Sequence, residues 1–104
     1  MRKTINGKVY DTETATEVAR YWNRYTSRDH RYCSEELYIT KKNNWFLAFE
    51  GGALSIWGKR GLNNSIEPSS GISVLTPKEA LLWMEEHGAE DEIEQYFGDQ
   101  VEEA

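Results

Sequence analysis

The sequence predicts a small α+β domain, in which an antiparallel sheet of about four strands carries one or two C-terminal helices on one face. Residues 36–50 alternate between the two sides of an extended chain around a polar turn, which is typical of a β-hairpin. Residues 76–98 carry the start and stop signals of two helices. A chain of 104 residues fits one domain, so we assign residues 1–98 to it and residues 99–104 to a flexible acidic tail.

The hairpin at residues 36–50 is the element around which the other segments are expected to assemble. Its two runs are rich in aromatic and β-branched residues, and the sequence KKNN at residues 41–44 separates them. Asn tolerates a positive φ, so Asn43-Asn44 suits the tight reversal, and the glycines at 51–52 end the second run. Because both sides of the runs carry large apolar side chains, we expect the hairpin at the centre of the sheet, with one face under a helix.

Two helices are predicted after residue 75. Thr76 and Glu79 form the pattern of a capping box, and Pro77 suits the first helical position between them. Gly88 is expected to end this helix, and a second, shorter helix spans residues 90–97. The first helix has the clearer start, so we expect it to pack on the sheet.

The remaining segments include one that fits two structures. Asn6-Gly7 is a strong signal for a short hairpin near the start of the chain. Residues 15–25 fit either a helical stripe or a strand, and their content of Thr, Val, Tyr and Trp favours the strand. Residues 53–70 form a long Gly-, Asn- and Ser-rich connection before a short strand at residues 72–75. The expected core side chains are Leu37, Ile39, Phe46, Leu82 and Trp83.

The charge of the chain is unevenly distributed. The net charge is −6, yet residues 77–104 hold ten acidic side chains and one Lys, which leaves residues 1–76 with a net charge of +3. Such asymmetry indicates either a charged partner or an ordinary solvated surface. The single Cys33 excludes an internal disulfide and favours a reducing, cytoplasmic location. No apolar run suits a signal peptide or a membrane span, so no membrane association is expected.

Six carboxylates at the end of the first helix and along the second form a candidate partner-binding surface, called the acidic face below. Its members are Glu85, Glu86, Glu90, Asp91, Glu92 and Glu94. Carboxylates spaced along helices present a negative surface that imitates a phosphate backbone and steers toward a basic groove. The matching partner is a host protein or ribonucleoprotein complex with such a groove. The alternative is that these carboxylates only keep the domain soluble.

A run of arginines and aromatic residues within residues 20–32 suggests a second hypothesis, direct nucleic-acid binding. The candidate residues are Arg20, Trp22, Arg24, Tyr25, Arg28 and Arg31. Arginine neutralises phosphates, and flat rings stack on bases. An isoelectric point near 4.9 argues against this use, since nucleic-acid-binding domains are usually basic. Nucleic acid is therefore the less favoured partner.

No catalytic or metal-binding pattern is evident in the sequence. His30 and His87 are the only histidines, and the group of Asp29, His30 and Cys33 lacks the four ligands of a structural zinc site. Cys33 activated by a histidine would form a thiolate nucleophile, but no oxyanion-binding motif accompanies it. We therefore expect a protein that is not an enzyme and that uses no metal and no cofactor.

Three stretches together resemble a loose family of short bacterial proteins carried by phages and other mobile elements. They are INGKVYDTETA at residues 5–15, EELYITKKNNWFLAFEGGALS at residues 35–55 and VLTPKEALLWMEEHGAEDEIEQYFG at residues 74–98. Members of this family typically lack an assigned activity, so the resemblance carries over no site residues. It implies mobile-element biology, in which small acidic proteins often inhibit host defence, anti-CRISPR proteins included. The resulting hypothesis is a non-enzymatic, protein-binding inhibitor whose acidic surface competes with nucleic acid for a host defence complex.

Overall fold

A four-stranded antiparallel sheet forms the centre of the structure, a computed structural model that describes all 104 residues. The strands are β1 (Arg2–Ile5), β2 (Lys8–Asp11), β3 (Thr16–Trp22), β4 (Cys33–Ile39), β5 (Trp45–Gly51), β6 (Lys59–Arg60), β7 (Ile66–Glu67) and β8 (Ser69–Leu75), and the helices are α1 (Pro77–Glu86) and α2 (Glu90–Phe97). The sheet has the order β3-β4-β5-β8, while β1-β2 and β6-β7 form separate two-stranded ribbons. The predicted α+β class is confirmed, and residues 15–25 contain a strand rather than a helix.

The β4–β5 hairpin lies at the centre of the sheet, as predicted. Leu37 pairs directly with Leu47, so these two side chains share one face. Asn43 has a φ of +65°, and the N–H of Thr40 donates to the carbonyl oxygen of Asn44 at 2.9 Å. The turn therefore closes around Asn43 in the left-handed region, which Asn adopts more readily than most residues.

The two helices cover one face of the sheet and bury the larger core. Its buried members are Leu37, Trp45, Leu47, Ala80, Trp83, Met84, Ile93 and Phe97. α1 begins at the predicted capping box, in which the N–H of Glu79 donates to Thr76 Oγ1 at 3.1 Å and the N–H of Thr76 donates to Glu79 Oε1 at 2.8 Å. These bonds satisfy two N–H groups at the start of the helix. Neither helix is long and apolar enough to span a bilayer.

The β1–β2 ribbon covers the opposite face of the sheet with a second core. This core consists of Tyr10, Tyr38, Phe46, Ala48 and Ile72. The ring centroid of Phe46 lies 5.2 Å from that of Tyr38 and 5.5 Å from that of Tyr10. The predicted turn reverses the ribbon, with positive φ angles of +50° at Asn6 and +77° at Gly7. Phe46 therefore packs away from the helices, in a different core from Leu37 and Trp83.

The predicted burial of Leu82 is wrong. Its side chain is 54% exposed. The residues of α1 that are buried are Ala80, Trp83 and Met84, spaced by three and four along the helix, and Leu82 lies off this stripe. Its neighbour Leu81 packs at the edge of the core instead. Because Leu81 and Leu82 are adjacent, the sequence does not show which of them faces the sheet. In the structure Leu81 faces it.

The connection between β5 and β8 is more ordered than the predicted loop. β6 and β7 pair as a short ribbon on either side of a 3-10 turn at Leu62–Asn64. The last strand begins at Ser69 rather than at Ile72, because Ser69–Leu75 pairs along all of β5. Four aliphatic side chains of the connection are mostly exposed, namely Leu54, Ile56, Leu62 and Ile66.

The fold is expected to lose stability at alkaline pH. Burial raises the pKa of the Cys33 thiol from 9.0 to about 11 and the pKa of the Tyr38 phenol from 10.0 to about 12. The folded state thus holds these protons above the pH at which the unfolded chain releases them, and stability falls as pH rises from about 9 to about 12. The urea concentration at the midpoint of unfolding should fall over this pH range. It should fall less in the Tyr38→Phe variant. Equal declines in the two proteins would show that Tyr38 does not contribute.

Candidate functional site

The acidic face lies on the helical layer, at the end of α1 and along α2. Glu85 and Glu86 end α1, and the other four members lie in α2. All six are exposed except Glu92, which is half-buried. The Lys and Arg ion pairs of the protein are Arg2–Asp11, Arg20–Glu17 and Arg31–Asp29, and the imidazole of His87 lies near Glu35. None includes a member of the acidic face, so no cation of the chain is paired with this negative charge.

An exposed apolar side chain lies beside the acidic face. Leu82 borders a shallow depression of about 230 Å³. The depression is lined by Leu47, Leu75, Glu79, Leu82, Trp83 and Glu86. An apolar centre with a charged rim is the usual anatomy of a protein–protein interface. The predicted core position of Leu82 hid this feature from sequence reasoning.

Two of the four arginines proposed for nucleic-acid binding are paired with carboxylates. Arg20 Nη2 lies 2.9 Å from each carboxylate oxygen of Glu17, and Arg31 Nη2 lies 2.9 Å from Asp29 Oδ2. The hydrogen bonds from Arg31 lower the pKa of Asp29 to about 2, so this pair is ionised at neutral pH. An arginine that is already paired with a carboxylate gains less binding free energy from contact with a phosphate.

The other members of this segment are only partly assembled. Trp22 is 53% exposed, and its indole N–H donates to the carbonyl oxygen of Tyr25 at 2.7 Å. A cavity of about 400 Å³ brings Trp22 and Tyr25 together with Arg20. Arg24 and Arg28 are exposed and lie outside the lining of this cavity. The structure therefore provides a small aromatic surface with one nearby guanidinium, rather than a row of four.

Glu35 is a buried charged side chain that sequence reasoning missed. It lies on β4 and is 3% exposed. Its Oε1 accepts the indole N–H of Trp83 at 2.8 Å, and its Oε2 accepts the indole N–H of Trp57 at 2.6 Å. Trp83 belongs to α1 and Trp57 to the connection after β5, so the carboxylate ties both segments to the sheet. His87 Nε2 lies 3.8 Å from Oε1, which is beyond hydrogen-bond range.

A cavity of about 470 Å³, called the Glu35 cavity below, opens beside this carboxylate. Its lining includes three aromatic rings, from Tyr21, Tyr25 and Trp83. Glu86 also lines it and is at the same time a member of the acidic face, so the two features adjoin.

Cys33 lines the Glu35 cavity as a protonated thiol. Burial, to which the charge of Glu35 adds, raises the pKa of this thiol to about 11. At neutral pH the thiolate is therefore a very small fraction, and the nucleophile considered for Cys33 is not favoured. No three His, Cys, Asp or Glu side chains lie close enough together to hold a metal ion.

The arrangement offers binding chemistry on two adjoining surfaces. The first is an exposed set of carboxylates beside an apolar side chain, and the second is an aromatic cavity with a buried carboxylate. Both suit a cationic partner, because each presents negative charge next to apolar area. No protein-family model matches the chain, and neither a curated protein nor a solved structure matches it.

Proposed function

We propose that the protein is a non-enzymatic, protein-binding inhibitor whose acidic face competes with nucleic acid for the basic groove of a host defence complex. The observation that carries the proposal is the exposure of the acidic face without any cation of the chain paired to it. The choice of a defence complex rests on the resemblance to mobile-element proteins, among which anti-CRISPR inhibitors occur. The inhibitor acts by occupying the groove and needs no catalytic group.

The electrostatics of the helical layer support this mode of action. The net charge of residues 77–104 is −9, and that of residues 1–76 is +3. A surface of one sign raises the association rate with an oppositely charged groove, and such a groove is a property of proteins that bind nucleic acid. Opposite charge orients the inhibitor so that α1 and α2 approach the partner first.

The exposed Leu82 provides an apolar contact in addition to the charges of the acidic face. Charged residues at the rim of an interface steer association, whereas buried apolar contacts at its centre contribute most of the affinity. Leu82 lies next to Glu86 in the depression on α1. A partner that brings an apolar group to Leu82 and cations to the surrounding carboxylates would satisfy both parts of this surface.

Capture followed by competition tests the proposal. The protein is immobilised, exposed to lysate of its own source cell, and the retained complex is identified and purified. Added nucleic acid should then displace the protein from that complex, since both occupy the same groove. A retained complex that binds nucleic acid and this protein at the same time would contradict the proposal.

Direct nucleic-acid binding is the second candidate, favoured by the exposed Trp22 beside Tyr25. We expect no mobility shift of single- or double-stranded DNA or RNA at micromolar protein and low salt, because Arg20 and Arg31 are already paired. Phosphate contacts would produce a shift that weakens steeply with salt. A salt-sensitive shift that Trp22→Ala abolishes would replace the inhibitor proposal with this one.

A further inference from the structure

We infer that the Glu35 cavity receives an arginine side chain of the basic partner, with Glu35 and the rim carboxylate of Glu86 facing its guanidinium group. The inference rests on the proposed function in that it takes the partner of the acidic face to be basic. The cavity's volume of about 470 Å³ lies within the range of about 300–1,000 Å³ typical of ligand pockets. The occupant is a side chain of that partner, inserted beside α1.

The Glu35 carboxylate retains capacity for further hydrogen bonds. Each oxygen of an ionised carboxylate can accept two, and each oxygen of Glu35 receives one, from Trp57 or from Trp83. His87 Nε2 lies 3.8 Å from Oε1 and donates no hydrogen bond to the carboxylate. The two indoles hold the carboxylate in one orientation, so its remaining acceptor positions are fixed in advance. A planar donor that offers two parallel N–H groups suits such a carboxylate best.

The aromatic lining favours a guanidinium group over an ammonium group. Guanidinium is planar, stacks on aromatic faces and is more weakly hydrated than ammonium, so it enters an aromatic cavity at lower cost. The rings of Tyr21, Tyr25 and Trp83 line the Glu35 cavity together with the imidazole of His87, whose ring centroid lies 4.1 Å from that of Tyr21 and 4.5 Å from that of Trp83. Tyr25 already carries a guanidinium, since Arg31 Cζ lies 4.2 Å from its ring centroid. That contact shows that the chemistry is compatible with this wall.

The charge balance of the lining also favours a cation. Glu35 and Glu86 bring two carboxylates to the cavity, and its lining also includes the imidazole of His87, whose Nε2 lies 3.8 Å from Glu35 Oε1. Arg31 brings one positive charge, which its ion pair with Asp29 at 2.9 Å offsets. A partner docked on the acidic face would already stand at the rim, because Glu86 belongs to both surfaces. Insertion of one arginine therefore requires no second docking event.

A purely structural role for Glu35 makes a different prediction. In that case the carboxylate only joins Trp57 and Trp83 to the sheet, and the cavity binds arginine no better than a neutral molecule of the same shape. N-acetyl-arginine N-methylamide and the corresponding citrulline derivative differ in charge and in one donor group, with little change in shape. They therefore separate the two roles directly.

The experiment titrates each derivative into the ¹⁵N-labelled protein and follows the indole N–H signals of Trp57 and Trp83 by NMR. We expect saturable shifts with the arginine derivative, at an affinity about tenfold higher than that of the citrulline derivative, because a charge-assisted hydrogen bond is lost in citrulline. The indole of Trp45, which packs against Tyr96 and Phe97 in the helical core, serves as the internal control and should not move.

Variants complete the test. Glu35→Gln should abolish the preference for arginine, and the exposed Glu86→Gln, which is expected to fold normally, should weaken arginine binding without affecting citrulline. Equal affinity of the two derivatives for the native protein, or unchanged affinity in Glu86→Gln, would overturn the inference. Because the titration contains no partner, either result leaves the competition experiment to decide the proposed function by itself.

Discussion

Replacing Glu35 by Ala is expected to lower the free energy of unfolding by about 2–4 kcal/mol. The change leaves the indole N–H groups of Trp57, which is half-buried, and Trp83, which is buried, without their acceptor. A fully buried donor without a partner costs about 1–3 kcal/mol, so Trp83 is expected to contribute more than Trp57. The lost side-chain volume adds to this cost, while removal of a buried charge offsets part of it. Urea unfolding followed by circular dichroism measures the difference.

Two further variants show whether the indole acceptors are the cause. Glu35→Gln keeps one acceptor oxygen, so its free energy of unfolding should lie between those of the native protein and Glu35→Ala. Glu50→Ala removes an exposed carboxylate from the neighbouring strand and should change stability by less than about 0.5 kcal/mol. A Glu35→Ala protein as stable as Glu50→Ala would mean that the two indole bonds contribute nothing to the fold.

Charge reversal of the acidic face is expected to slow association with the partner complex by about tenfold or more at low salt. The variant carries Lys at Glu85, Glu86, Glu90 and Asp91, which are all exposed. Its fold should be unaffected, since the added cations are favourable at the end of α1 and unfavourable at the start of α2, each by about 0.3–1 kcal/mol. The expected result is therefore a folded protein that has lost binding.

A matched control reverses the same number of charges elsewhere. Arg2, Lys3, Lys41 and Lys42 are exposed and lie in β1 and in the β4–β5 turn, away from the helices. Their replacement by Glu should leave binding to the partner intact. Equal binding by the two variants would mean that the acidic face has no special role.

Local sequence patterns were sufficient for the parts of the fold that depend on neighbouring residues. The β4–β5 hairpin follows from a period of two around a polar turn, and the start of α1 follows from Thr76 and Glu79, which lie three residues apart. Both signals are complete within a few residues of sequence. The left-handed Asn6-Gly7 turn is a signal of the same kind.

Features that depend on packing were not predictable in the same way. The exposure of Leu82 depends on the rotation of α1 against the sheet, which neither Leu81 nor Leu82 determines alone. The placement of Tyr10 on the face opposite the helices depends on where the β1–β2 ribbon docks. No short pattern in the sequence contains either of these tertiary relations.

The Glu35 cavity was missed for a related reason. The alternation of Cys33, Glu35 and Leu37 along β4 does place Glu35 on the helix side of the sheet, which is a signal that the sequence contains. Its partners Trp57 and Trp83 lie 22 and 48 residues further along the chain, and the sequence does not show that they converge. A carboxylate at an inward strand position thus predicts that hydrogen-bond donors from distant parts of the chain lie beside it.

The most direct test of the acidic face measures association rates with the purified partner complex over a range of salt concentrations. The native protein should associate fastest at low salt and slow steeply as salt is added, because the screening length falls to about 8 Å at physiological ionic strength. The variant reversed at Glu85, Glu86, Glu90 and Asp91 should be slow throughout, and the two rates should converge at high salt. Equal rates for the two proteins at low salt would contradict the account.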